Sequence, residues 1–405
     1  MFKNILNQYK ASFGGLSRDA WLLAWVMFIN RSGSMVMFFL MLYLTNEINM
    51  GIETAGRLFS LYGFGAMAGA FLGGWLSDKY GTKLIQISSL IVSGIGYIVL
   101  SYVKAPFTIG LMLFCIAVVA EAFRPASTAA MASVCSPETR LRGFALNRLA
   151  LNLGIAIGPA IGGFLAVYDY SLIFWVEGFS SIAAATFLIL LFRDSQMGKK
   201  LTGAFSSPLV ISPLKDVIYI QFLIILIAIG ISFNQLFNTW PIYLKEFYNL
   251  NEDNIGLLIA INAIIIVLFE MPLVHRLERK NIIHTIAIGS FLLCFGFGAI
   301  MFSNSVPYAV FTVIIWTIGE MLTFPLVVTF IANRAHDSRR GAYMGLMTFT
   351  FSVSSVIGPV YGSWIYKNMG ENTLWLSLII LGLLTIPGYL FIDYSSKKMA
   401  LKSAI

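Results

Sequence analysis

The sequence predicts an all-α membrane protein: twelve transmembrane helices in two pseudo-symmetric six-helix bundles. Three observations lead there. Apolar residues make up 58% and charged residues 11% of the 405-residue chain, against roughly 25% charged in an ordinary soluble domain. Uncharged apolar runs of about twenty residues, each long enough to cross a hydrocarbon core of ~30 Å as a helix, recur along its whole length. Finally, the second half repeats the first at an offset of about 200 residues. The runs are continuous and rich in Leu, Ile, Phe and Gly, which excludes the alternating strands of a membrane barrel.

Helix α1 is expected over 20–45, after a short amphipathic lead-in. Arg31 stands in its middle and no small-residue cleavage pattern follows, so it reads as a retained helix and not a signal peptide. Helix α2 (55–77) ends in glycines, α3 (84–103) follows a tight polar turn, and α4 (107–134) carries Glu121 and Arg124 near its centre. Helix α5 (141–168) holds a stripe of glycines, and α6 (171–193) closes the first half. Asp194 to Asp216 is the longest polar interruption, with Gln196, Lys199, Lys200 and two prolines. It divides the chain into an N-terminal bundle (1–193), a linker (194–217) and a C-terminal bundle with a short tail (218–405). Helix α7 (218–247) contains Asn234, Gln235 and Asn238 before Trp240-Pro241. Helices α8 (253–276), α9 (283–302), α10 (306–333, with Glu320), α11 (340–368) and α12 (373–394) complete the set.

The net charge of +8 invites a nucleic-acid reading, but the basic residues fall on one side. Lys3, Lys10, Arg18, Lys79, Lys83, Arg140, Arg142, Lys199, Lys200, Lys215, Arg279, Lys280, Arg339, Arg340 and Lys397 gather at one set of helix ends, whereas Arg57, Lys104, Lys245 and Lys367 mark the other. This positive-inside asymmetry predicts that both termini are cytoplasmic, with an even number of spans. No nucleic-acid partner is implied. Cys115, Cys135 and Cys294 are scattered and odd in number, so no disulfide framework is expected. His275, His284 and His336 have no metal-site spacing, and a phosphate-cradling G-x-x-x-x-G-K-[ST] loop is missing, so neither metal nor nucleotide is expected. With no loop large enough for a catalytic domain and no recognisable nucleophile and base, an enzyme is not expected.

The repeat sets Glu121 opposite Glu320, Pro125 opposite Pro325, Arg142-Gly143 opposite Arg340-Gly341 and Gly158-Pro159 opposite Gly358-Pro359. Parallel six-helix repeats related by an axis along the membrane normal place a solute site between the halves near the bilayer midplane.

Between α2 and α3 stands Gly74-Trp75-Leu76-Ser77-Asp78-Lys79-Tyr80-Gly81-Thr82-Lys83. Gly69, Gly73 and Gly74 permit close helix approach, and Gly81 permits a tight turn. This run resembles the loop signature of the major facilitator superfamily, G-x-L-[AS]-D-[RK]-x-G-x-[RK]. The resemblance implies a gating role for Gly74, Asp78, Lys79, Gly81 and Lys83, with Asp78 latching the cytoplasmic side against the start of α11 near Arg340-Gly341. The second copy, Pro272 to Asn281, is degenerate, with Arg276 where Asp78 corresponds. In α5, Gly154, Gly158, Pro159, Gly162 and Gly163 make a smooth packing stripe with a proline bend. It resembles the antiporter signature G-x-x-x-G-P-x-x-G-G of the same superfamily, which implies gating and outward transport. The stretch from Arg124 to Arg148 is similar to the twelve-helix bacterial drug:proton antiporter branch, although Pro125 follows Arg124 where the branch pattern has a downstream Gln-Gly. The resemblance further implies a monomer in the bacterial inner membrane.

A charge at a helix centre costs ~2.5–3.5 kcal/mol on insertion scales, so buried ionisable groups usually face a cavity and do work. Glu121, Glu320, Arg124 and Arg31 lie near mid-helix and are the expected proton-coupling residues. Glu121 and Arg124 are three apart, on one face, and are expected to neutralise each other. Glu320 would face Glu121 across the path, with Arg31 or Arg124 as exchangeable counter-ion. Glu177 and Glu270, nearer the ends, read as structural. Asn30, Asn234, Gln235 and Asn238 offer neutral hydrogen bonds to a ligand, with Phe123, Phe237 and Trp316 as aromatic walls. The expected partners are a small-molecule substrate, protons and the lipid bilayer, with no cofactor and a proton gradient as energy source. The leading expectation is a proton-coupled exporter of small amphipathic or cationic compounds. The alternatives are a proton-coupled importer of peptides or another nutrient, and a channel or non-transporting sensor.

Overall fold

The structure is a computed structural model that describes residues 15–136, 139–192, 213–277, 280–335 and 340–403. Twelve helical spans among these residues are long and apolar enough to cross a membrane. They are α1 (Arg18–Ser32, resuming at Val36–Leu42 and a wide turn Tyr43–Glu47), α2 (Ile52–Tyr80), α3 (Thr82–Leu100), α4 (Pro106–Val134), α5 (Arg140–Tyr168), α6 (Ser171–Leu191), α7 (Val217–Asn234, then Thr239–Tyr248), α8 (Glu252–Leu277), α9 (Ile282–Gly298), α10 (Val306–Arg334), α11 (Arg340–Asn368) and α12 (Glu371–Ser403). Most of the linker, 194–212, lies outside the described residues.

Two compact units emerge, and they are not quite the halves expected from the sequence. The first is Met1–Met37 with Gly65–Thr202, and the second is Phe38–Phe64 with Gly203–Ile405. The far end of α1 and the near half of α2 therefore pack with the second half of the chain. Gly56 and Gly63 explain why: a Cβ on Gly63 would lie 2.6 Å from the Ser355 carbonyl of α11, and one on Gly56 would lie 2.9 Å from the Pro359 carbonyl. Ser60 Oγ donates to the Val356 carbonyl (2.8 Å), and Lys367 reaches Glu53 at 3.0 Å.

Within the first unit, α3 packs on α4 and α6, and α1 packs on α5 and α6. Its core gathers Leu23, Met27, Leu90, Phe123, Met131, Leu146 and Leu188. Glycines set the spacing between α2 and α4. A Cβ on Gly69 or Gly73 would press on the backbone of Val118 or Ala122. In the second unit, α9 packs on α10 and α12, α11 on α7, and α8 on α10. Trp240, Trp316, Trp375, Phe222 and Tyr389 fill that core. Phe71, Phe107, Leu190 and Leu384 stay exposed, as expected for helices solvated by hydrocarbon chains.

The helix ends that carry the basic loops are tied differently in the two units. Ser17 caps α1 through the Ala20 amide and donates to the Val134 carbonyl, while Lys83 donates to the Phe192 carbonyl at the end of α6. At the repeat-related positions the second unit uses ions. Asp216 caps α7 through the Tyr219 amide and takes two hydrogen bonds from Arg334 (2.6 and 2.7 Å) and one from the Tyr343 hydroxyl (3.0 Å). Burial pushes the Asp216 carboxyl up, but Arg334, the Tyr219 amide and Tyr343 outweigh it and hold the group below its ordinary value. Asn281 caps α9 and donates to Asp393, which also meets His284 at 3.2 Å.

Candidate functional site

Two helices are interrupted at repeat-related places, and the sequence-expected polar residues gather there. In the first unit α1 stops at Ser32, is capped by Gly33 and restarts at Val36. Gly33 nestles against Ser180 of α6, and Gly154 and Gly158 of α5 back the same turn. A Cβ on Gly154 would lie 2.6 Å from the Arg31 Cβ and 2.9 Å from the Ser32 amide, and one on Gly158 would lie 2.9 Å from the Ser34 carbonyl. Only glycine allows that approach. The glycine stripe of α5 is thus the seat of the break in α1.

A break leaves backbone amides unpaired, and in a membrane water does not satisfy them. Glu177 of α6 does so. Its Oε2 accepts from the Met35 amide (3.0 Å) and the Val36 amide (2.7 Å), and the residue is only 4% exposed. Arg31 lies close enough to act on it electrostatically, with the Tyr97 hydroxyl of α3 beside it. Arg31 and Glu177 make no direct ion pair, and the buried Nε of Arg31 has no hydrogen-bond partner among the described residues. Asn30, expected at the ligand, donates to Ser181 (3.2 Å), one turn of α6 from Glu177.

In the second unit α7 stops at Asn234, passes through a tight turn over Gln235–Phe237 and restarts at Thr239. Here the expected ligand-binding amides hold protein. Asn234 donates back to the Gly230 carbonyl (2.8 Å). Gln235, fully buried, donates to Ile231 and to Gly358 of α11 (both 3.0 Å) and accepts from Thr239 (2.7 Å). Asn238, also fully buried, donates to the Pro359 carbonyl (3.0 Å). Gln235 and Asn238 staple the interrupted helix to α11, and Asn234 ties back to its own helix.

Glu320 of α10 is half-buried, and its Oε2 accepts from Asn262 of α8 (3.0 Å), whose amide also donates to the Thr317 hydroxyl (3.1 Å). The sequence had offered no reason to single out Asn262, a lone amide in an apolar helix. Glu121 is half-buried on α4 without a side-chain hydrogen bond or ion pair among the described residues. Arg124 is exposed, so the expected neutralising pair between the two does not form.

Two expected aromatic walls prove to be core. Phe123 is 2% exposed in the core of the first unit. Trp316 is wholly buried, stacked on Phe297 at 4.9 Å and edge-on to Trp240. Phe237 is half-buried and meets Phe38 and Phe233, and Phe233 meets Phe324 in turn. Around the α2–α3 turn, Gly81 has φ +89°, Asp78 is exposed and Lys79 lies over the rings of Trp75 and Tyr80, both at 5.1 Å. A Cβ on Gly74 would meet nothing within 4 Å; Gly69 and Gly73 make the close approach instead. Pro159 sits inside α5, with Gly162 and Gly163 buried behind it. The side chains of Arg340, Gly341, His275, Arg276 and His336 lie outside the description.

A family model described as the Major Facilitator Superfamily matches residues 20–359. Among curated relatives, the chain is 24% identical to the uncharacterized MFS-type transporter YqjV of Bacillus subtilis (strain 168), covering 91% of each. It is 25% identical to a Na(+), Li(+), K(+)/H(+) antiporter of Planococcus maritimus, over 82% of this chain and 86% of that protein. With the multidrug resistance protein MdtH of Proteus mirabilis (strain HI4320) it shares 23% identity, over 78% and 79%. Among solved structures, a POT family transporter in complex with 5-aminolevulinic acid superposes with a TM-score of 0.83 at 18% identity, covering 95% of this chain and 97% of that one.

Proposed function

The chain belongs to the Major Facilitator Superfamily, a multi-pass membrane transporter and not an enzyme, and from that premise we propose that it is a proton-coupled exporter of small amphipathic or cationic compounds. The observation that carries this reading is the Glu320 carboxylate, held at mid-helix by the neutral Asn262 amide. A carboxylate at mid-helix is the kind of group that carries a proton or meets a cation along a transport path. Glu121, half-buried at the repeat-related place in the other unit, is the second candidate carrier. Relatives named for multidrug resistance and for cation/proton exchange support exchange in the outward direction. The likeness to the POT family transporter is one of fold and carries no substrate. The proton gradient of a bacterial inner membrane would supply the energy, with both termini cytoplasmic by the distribution of basic residues.

The test is proton movement in proteoliposomes loaded with a pH-sensitive dye. A lipophilic cation added to the wild type should release protons, and Glu320→Gln should cut that rate at least tenfold, with a smaller loss in Glu121→Gln. Proton uptake together with added short peptides would replace export by import. No proton movement with either class of compound would remove proton coupling from the account.

A further inference from the structure

We propose that Glu177 is a proton-binding site that controls the break in α1: ionised, it clasps the restart of the helix, and protonated, it loosens its hold. The inference stands on the first unit alone and holds whichever way solute moves and whichever carboxylate carries the transported proton.

One oxygen, Oε2, serves both the Met35 and Val36 amides, at 3.0 and 2.7 Å. A single oxygen can accept two strong hydrogen bonds when it bears the charge, and charge-assisted bonds are about twice as strong as neutral ones. Adding a proton to the carboxylate removes that charge and turns one of the two oxygens into a donor. The two amides then share a neutral oxygen, a weaker acceptor than the charged one, and the backbone at Gly33–Met35 is held less tightly.

The surroundings fit a group that changes charge. Helix α1 contributes the Arg31 guanidinium, whose buried Nε lacks a partner, and α3 contributes the Tyr97 hydroxyl. From α5 come Gly154 and Gly158, which bring backbone against Arg31–Ser34 without filling the space with side chains. Asn30 ties the last turn before the break to α6 through Ser181. Ionised Glu177 and Arg31 leave the cluster neutral overall; protonation leaves the arginine charge uncompensated within it. The break in α7 has no comparable titrating group in its staple, because Gln235, Asn238 and Thr239 stay neutral at every accessible pH.

The experiment is hydrogen–deuterium exchange of the full chain in lipid nanodiscs between pH 5 and pH 9, corrected for the intrinsic pH dependence of exchange. Peptides spanning 30–40 and 230–242 are compared. The proposal expects protection over 30–40 to fall about tenfold or more as pH is lowered, the scale of losing a hydrogen bond to a charged group. The 230–242 peptide should stay flat, and Glu177→Gln should abolish the pH response over 30–40. A wild-type 30–40 peptide as insensitive as 230–242, or an unchanged response in Glu177→Gln, overturns the proposal. Infrared difference spectra of the wild type and of the conservative Glu177→Asp variant between the same pH limits guard against misfolding of Glu177→Gln. A protonated-carboxyl band that appears at low pH and vanishes in Glu177→Asp or shifts there supports the site, and its persistence unaltered refutes it.

Discussion

In the first unit the break in α1 is closed by an ionisable group reaching over from α6, whereas in the second the break in α7 is closed by amides of the broken helix itself. The repeat gives both units a glycine-backed interruption at matching places, since Gly154 and Gly158 of α5 correspond to Ser354 and Gly358 of α11. What differs is the acceptor and donor chemistry. A neutral staple holds one geometry at all pH values, but a carboxylate ties its strength to its protonation state. At the basic helix ends the pattern is reversed: the first unit is tied by Ser17 and Lys83 to backbone carbonyls, the second by the Asp216–Arg334 pair and the Asp393 cluster. Duplication therefore preserved the positions of the ties while their chemistry diverged.

Substitution at the two glycine seats gives the largest expected effect. Gly154→Leu would drive a side chain into the backbone of Arg31–Ser32, which cannot yield without closing the break, and should destabilise by about 3 kcal/mol or more. Gly358→Leu meets the Asn234 Cβ at 2.7 Å, but the nearest backbone atom is the Ile231 carbonyl oxygen at 3.5 Å, so with less backbone in its way it should cost about 1–2 kcal/mol. The order of their melting temperatures in detergent measures the difference, and equal losses would erase this distinction between the seats.

Next is the neutral staple. Gln235→Leu leaves Thr239 without its acceptor and removes the donor to Gly358, and should cost about 1–3 kcal/mol, the scale of a buried polar group left unsatisfied. That loss should be the same at pH 5 and pH 9. A loss that varies with pH would mean that the second break is coupled to a titrating group after all.

The smallest effect is expected at Asp216, whose main partner Arg334 is part-exposed at a helix end. Asp216→Asn should lower stability by about 1–2 kcal/mol near neutral pH. Because the folded carboxyl titrates below its unfolded value of about 3.9, its contribution is complete above that value and is lost as pH falls through the folded one. Thermal melts of wild type and variant should run parallel from pH 5 to pH 8 and converge only below about pH 4.

Much of the scaffold was legible in the chain. The positive φ of Gly81 and the close packing of Gly154 and Gly158 follow from residue type, because side chains rarely adopt the first conformation and do not fit at the other two. The site was far less legible. Asn234, Gln235 and Asn238 share the composition of a ligand-binding patch, yet an amide in a broken helix satisfies the nearest backbone first. Trp316, expected as an aromatic wall, is instead stacked in the core. Glu177 read as structural by its depth, and only the coordinates put it on two backbone amides 141 and 142 residues away in sequence.

The sequence by itself determined the twelve helices, their repeat and the places where glycine admits close approach, because these depend on local composition and on the need to bury or expose backbone in hydrocarbon. Tertiary structure alone decided that α1 breaks, that Glu177 closes the break, that Asn262 meets Glu320, and that Phe38–Phe64 packs with the second unit. Those outcomes turn on which polar group, among several of similar chemistry, arrives within three ångströms of an unpaired amide or carboxylate, and packing between distant helices settles that.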